Sequence, residues 1–278
     1  MQIKDGNALK DEGALKNGGA SESARSPLLL LVEDQLLNQK LFSLQVRETG
    51  YRYEIAEDGF EALEKAEKFQ PDIIFMDIEL PRMDGYETTQ KLREKGFTNP
   101  IIAVTANTLP EEYRECLARG MDDVLIKPVK KTDIKAILDK WLPKNIEGAA
   151  SIKETISQEA PQKARASVFN QQEAIETFLG NKELLLSLLN DFIKRTEDQL
   201  KLFPLLAEKQ NWKDGTHEAH IIKGSSLTLT AKEIGQLSTQ LETAFKEANP
   251  AKINSLLSEL SEALTRLCET TKAFAENT

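Results

Sequence analysis

The stretch Pro71 to Gly85, PDIIFMDIELPRMDG, constrains the first half of the chain more than any other. Ile73, Ile74, Phe75 and Met76 form an unbroken apolar run, which is how a strand covered on both faces of a parallel sheet reads. Asp77 stands where that run meets water. Ligands collect beyond the carboxyl ends of strands in open parallel sheets, so a carboxylate there is badly placed for packing and well placed for chemistry. Pro81 and the Asp84-Gly85 pair then turn the chain, and a helical pattern resumes from Glu87 to Lys95.

The same unit repeats on either side. Leu28 to Val32 is a second fully apolar run, ending at Glu33-Asp34. Leu37, Leu41, Leu44 and Val46 follow at helical spacing until Gly50. Tyr51 to Ala56 alternates as a short strand, and Gly59 to Phe69 is amphipathic with Phe60, Leu63 and Ala66 on one side. Pro100 to Val104 runs into Thr105, a helix from about Pro110 to Arg119 leads to Gly120, and Asp123 to Ile126 precedes Lys127-Pro128. Residues 130–142 close the pattern, with Ile134, Ile137, Leu138 and Trp141 inward. Strands alternating with helices predict a flavodoxin-like, doubly wound five-stranded parallel sheet of order 2-1-3-4-5. That order makes the first and third strands neighbours and brings Glu33, Asp34 and Asp77 together.

From Ser167 onward the periodicity is helical only. Asn170 and Glu173 form a capping box before Ala174, Ile175 and Phe178. Long amphipathic segments follow, marked by Leu185 to Phe203, by Ile234 to Phe245, and by Ile253 to Phe274, and they predict an all-α four-helix bundle. The expected organisation is a flexible leader at 1–26, an α/β domain at 27–142, a linker at 143–166 and the bundle at 167–278. Net charge is −9 and acidic residues outnumber basic ones in both halves, so no nucleic-acid surface is expected. Cys116 and Cys268 lie far apart with no metal or disulfide spacing, which fits a reducing compartment. No apolar stretch of about 18 residues offers membrane insertion, so a cytoplasmic protein is expected.

Three carboxylates, Thr105 and Lys127 at strand ends have a shared chemical logic. Carboxylates without His or Cys suit a hard divalent ion such as Mg²⁺, which keeps waters and accepts phosphate oxygens. Asp77 would be both ligand and nucleophile in phosphoryl transfer, with Lys127 neutralising charge and Thr105 donating a hydrogen bond. Haloacid-dehalogenase-like phosphatases also carry an Asp nucleophile after a buried strand, but they require a second Asp two residues on, where this chain has Glu79.

Val32-Glu33-Asp34, Met76-Asp77 with Pro81-Arg82-Met83-Asp84-Gly85, Thr105-Ala106 and Lys127-Pro128 together resemble the receiver domain of two-component response regulators, over residues 28–142. The resemblance implies that Asp77 is the phosphoacceptor and that Asp34, Asp77 and the Glu79 backbone carbonyl bind Mg²⁺ directly. It also implies that Glu33 assists through water and that the Lys127-Pro128 bond is cis. The position three residues before the lysine, commonly aromatic in that family, is Val124.

In the bundle, Ala219, Ile222, Ser226 and Leu229 repeat at helical spacing and predict a core face, leaving His220, Lys223, Gly224 and Leu227 on an outward stripe. A histidine on a wet helix face would be a neutral nucleophile near pH 7, with Lys223 for phosphoryl charge and Gly224 for close approach. His217 reads as an ordinary surface residue. Ala219-His220-x-x-Lys223-Gly224-Ser225-Ser226 resembles the histidine phosphotransfer (HPt) domain, over residues 167 to about 276. That resemblance implies Glu242 as the group orienting the imidazole. Leu227 stands where the family usually has Gly or Ala.

Taken together, these patterns predict a phosphorelay intermediate. A sensor histidine kinase would phosphorylate Asp77, His220 would take the group, and a separate response regulator would receive it. No stretch is left over for a kinase ATP-binding segment, so the phosphoryl group is expected from outside. The alternatives are a phosphorylation-gated scaffold, or a phosphate sink in which His220 runs in reverse.

Overall fold

The computed structural model describes residues 26–47, 49–107, 109–142 and 169–276. The leader, apart from Ser26, and the linker lie outside the described residues. Five strands pair in parallel in the order β2-β1-β3-β4-β5: β1 (Leu28–Val32), β2 (Arg52–Ala56), β3 (Ile73–Asp77), β4 (Ile101–Thr105) and β5 (Asp123–Ile126). Every residue of β1, β3 and β4 is buried, the consequence of helices on both faces. Those helices are α1 (Leu36–Arg47), α2 (Gly59–Phe69), α3 (Gly85–Glu94), α4 (Pro110–Ala118) and α5 (Lys131–Trp141).

Register places the polar strand ends. Val32 pairs with Met76, which sets Glu33 beside Asp77, and Asp77 itself pairs with Val104, one residue short of Thr105. Thr105 pairs with Ile126, and the Lys127 N–H donates to the Thr105 carbonyl. The Lys127-Pro128 peptide is cis.

Two local expectations change. Phe60 does not face inward; its ring is 53% exposed, with the Arg82 guanidinium over it at 5.4 Å, and Ala62 with Ala66 forms the buried stripe of α2. The hydrophobic reading grouped Phe60 with Leu63 and Ala66, but the face that meets the sheet is made by Ala62 and Ala66, with Leu63 packed partly against them. Helix α3 starts at Gly85, two residues earlier than the periodicity suggested, because the Asp84 carboxylate caps it by accepting from Glu87 N. Gly85 itself is required, since a Cβ there would strike the backbone carbonyl of Asp77.

The C-terminal half consists of a short α6 (Gln171–Thr177) and four long helices: α7 (Lys182–Glu208), α8 (Trp212–Thr228), α9 (Lys232–Lys246) and α10 (Pro250–Glu276). The predicted inward residues of α9 and α10 are buried apart from Leu237, which packs partly against the core, and Phe203 and Phe245 meet with ring centroids 5.5 Å apart. This core does not stop at the bundle. Leu37 and Leu41 of α1 belong to the same apolar cluster, with Leu44 packed against it, so the α/β domain sits on α8.

Candidate functional site

At the carboxyl edge of the sheet, Lys127 Nζ contacts Glu33 Oε2 at 2.7 Å and Asp77 Oδ2 at 2.5 Å, all three side chains being buried. Glu33 Oε1 accepts from Gln35 N and Asn38 Nδ2, so both of its oxygens are engaged. Asp77 Oδ1 accepts from the Glu79 N–H, and Asp34 Oδ1 is buried with no hydrogen-bond partner. Carboxylate oxygens of Glu33, Asp34 and Asp77 lie within 4.8 Å of one another. Burial pushes the Asp34 carboxyl up and the Glu33 charge adds to it, against Lys127. Burial likewise pushes Asp77 up, opposed by Lys127 and reinforced by Glu33. Lys127 is pushed down by burial but held charged by Asp77 and Glu33. One ammonium therefore serves three crowded carboxyl groups. An all-oxygen set with one orphaned carboxylate oxygen fits a small divalent cation. Thr105, at the adjacent strand end, accepts from Asn107 N through its Oγ1.

His220 stands across from this edge. It is not on an outward, wet stripe: the ring is 4% exposed, because the α/β domain covers it. Its Nδ1 lies 2.8 Å from Glu79 Oε2 and 3.7 Å from Glu242 Oε2, contacts of charge rather than aligned hydrogen bonds. Burial disfavours the imidazolium, but Glu242 and Glu79 outweigh it and push the His220 pKa up to about 9. The expectation of a neutral ring near pH 7 is corrected accordingly. The helical periodicity of α8 could not register carboxylates supplied by another domain and another helix.

Lys223 Nζ sits 3.1 Å from Glu242 Oε2, and Lys246 Nζ 2.5 Å from Glu242 Oε1. With His220 and these lysines around it, Glu242 is held well below the usual carboxylate range despite burial. Gly224 faces Gln35, whose carboxamide nitrogen would lie 3.1 Å from a Cβ built there. Leu227 lies toward Gly235 of α9, and the domains meet with it in place. His217, half-buried one turn before His220, is close enough for its charge to act on Asp34. Sequence reading missed Gln35, Asn38, Thr228 and Lys246, and gave Ser225 a place in a motif but no contact; all are ordinary polar residues whose relevance depends on how the domains face each other.

Residues 29–139 match the family model for the response regulator receiver domain, and residues 187–270 match that for the Hpt domain. The chain carries a receiver domain followed by an Hpt domain. The receiver segment is 43% identical over 111 residues to the sensor histidine kinase RcsC of Escherichia coli, a match covering 40% of this chain and 12% of that protein. The sensor histidine kinase GacS of Pseudomonas protegens matches across both domains, 24% identical over 250 residues, covering 88% of this chain and 27% of the relative. The chain thus spans a minor part of these relatives. Among solved structures, the receiver domain of the sensor histidine kinase PA1611 from Pseudomonas aeruginosa is 41% identical, covering 42% of this chain and 98% of that one, with a TM-score of 0.39. Among the described residues, no helix is long and apolar enough to cross a membrane.

Proposed function

We propose that the chain is a phosphorelay intermediate in which Asp77 of the receiver and His220 of the Hpt domain exchange a phosphoryl group. The observation that carries the reading is the juxtaposition of two buried reactive groups: Asp77 paired with Lys127, and His220 covered by the Asp77-bearing edge through Glu79. A divalent ion, for which Mg²⁺ is the fitting choice, would be held by Asp34 and Asp77, with Glu33 through water and the Glu79 carbonyl completing the set. Bound there, it supplies charge neutralisation to phosphoryl oxygens.

The chain's own residues do the rest. Asp77 attacks a phosphohistidine of a sensor histidine kinase: the donor P–N bond breaks and a P–O bond forms to Asp77. Lys127 holds the charge on the equatorial oxygens and Thr105 donates to one of them. In the second step the P–O bond breaks, a P–N bond forms to His220 Nε2, and the Asp77 carboxylate leaves beside Lys127. Before the attack the imidazolium gives its Nε2 proton to water, while the charges of Glu79 and Glu242 keep the other proton on Nδ1, so Nε2 carries the free lone pair and is the reacting atom. The group then passes to the aspartate of a separate response regulator. A cytoplasmic setting goes with this reading.

Incubation with a small-molecule acyl phosphate and Mg²⁺ tests it. Wild type should carry a hydroxylamine-sensitive label at Asp77 and a base-stable, acid-labile label at His220. His220→Gln should keep only the first, and Asp77→Asn should lose both. A base-stable label that persists in Asp77→Asn, or never forms in wild type, refutes the exchange.

A further inference from the structure

The surface between α1 and α8 carries two side-chain contacts from one domain to the other. Ser225 donates to the Gln35 carboxamide oxygen at 2.8 Å, and Thr228 donates to the Asn38 carboxamide oxygen, also at 2.8 Å. Gln35 lies just before α1 and Asn38 one turn on, while Ser225 and Thr228 are one turn apart on α8, so the two contacts form consecutive rungs. One rung would fix a position; two fix the crossing angle as well. Leu37 and Leu41, between and beyond the rungs, enter the bundle's own apolar cluster. Gly224 completes the seat, because Gln35 occupies the space a side chain would take.

From this geometry we infer that the receiver of this same chain is the resident occupant of the His220 face, and that the contact is a closed state which an outside receiver must wait to see opened. The inference rests on the phosphorelay reading and extends it. Transfer requires an aspartate to approach the imidazole along the line of the departing bond. Two receivers cannot hold that position at once, and the near-complete burial of His220 leaves no second approach. The closed state is also incompletely satisfied. Gln35 is 1% exposed, yet its Nε2 has no partner, and a buried donor left unpaired works against the contacts around it. The seat is held by two neutral rungs, a few leucines and the Glu79–His220 contact, and the unpaired donor lowers what opening it costs. Residues 143–168 join the two domains as one covalent chain, so the receiver returns at high effective concentration.

The test locks the seat in the full chain. Asn38→Cys with Thr228→Cys, in a Cys268→Ser background that leaves only the fully buried Cys116, provides a disulfide across the outer rung. The acceptor is a tagged full-length His220→Gln chain, whose Asp77 is the outside aspartate. Mild oxidation should form the intrachain disulfide in the folded protein. Measured against the reduced donor, which carries the same two cysteines, the locked donor should load His220 from its own Asp77 at an equal rate, pass label to the acceptor at least tenfold more slowly, and recover on reduction. The converse variant, Gln35→Arg, should slow transfer within the chain and speed passage to the acceptor. Failure of the disulfide to form in the folded chain, or a locked donor that passes label at the reduced rate, overturns the closed state. A His220 that is never labelled in either redox form overturns the relay reading instead, and disulfide formation then still decides whether the seat exists.

Discussion

His220 gains its basicity from two directions, Glu79 on the receiver and Glu242 on α9, against the pull of burial. Its pKa rises in the folded, docked state above the ordinary value of about 6.5. The linked stability is therefore fully present below about pH 6.5 and lost as pH climbs through about 9, a total on the order of 3 kcal/mol. An ¹⁵N-detected titration of the imidazole in metal-free buffer should place the midpoint near 9. Glu79→Gln and Glu242→Gln should each lower it, and a wild-type midpoint at or below 6.5 would refute the arrangement. The reactive residues were legible from sequence because each ends an apolar run or sits in a tight motif: Asp77 after Ile73 to Met76, His220 between Ala219 and Lys223. Their protonation was not, since it is set by groups hundreds of atoms away along the chain. Asp34 makes the same point on the metal side. Adding Mg²⁺ should raise the protein's melting temperature, by the equivalent of about 2.7 kcal/mol at a hundredfold excess over Kd, and Asp34→Asn should remove most of that gain. Differential scanning fluorimetry with and without chelator reads the effect.

At the scale of single elements, α8 meets opposing demands. A glycine inside a helix costs about 1 kcal/mol relative to alanine, and Gly224 and Gly215 both sit inside this one. They answer to different neighbours. A Cβ at Gly215 would strike the buried ring of Phe245, whereas one at Gly224 would meet only the Gln35 side chain of the receiver. Gly215→Ala should therefore destabilise the bundle by about 1–3 kcal/mol, an overpacking cost, as read by urea denaturation. Gly224→Ala should leave the bundle as stable or slightly more so, while slowing transfer from Asp77 to His220. Equal and opposite results for the two variants would show that their neighbours have been assigned wrongly. Strands were the most legible elements, because runs such as Leu28 to Val32 are unbroken, too short for a helix and closed by polar residues, which together read as a doubly covered strand. Helix faces were less so. The reading of α2 put Phe60 with Leu63 and Ala66 and passed over Ala62, since periodicity weighs apolar size and a small buried residue adds little to it.

For the molecule as a whole, the two-domain division was visible in the switch from mixed to purely helical periodicity near Ser167. The seating of one domain on the other was not, because Leu37 and Leu41 satisfy the inward pattern of α1 equally well whether the neighbour is the sheet or the bundle. Those two leucines carry a consequence for how the protein melts. An apolar cluster that crosses a domain boundary cannot be dismantled from one side alone, so heat should dissolve both halves in a single calorimetric peak. Changing both leucines to alanine should divide that peak into two. A boundary drawn on the sequence would then run through the middle of a cooperative unit.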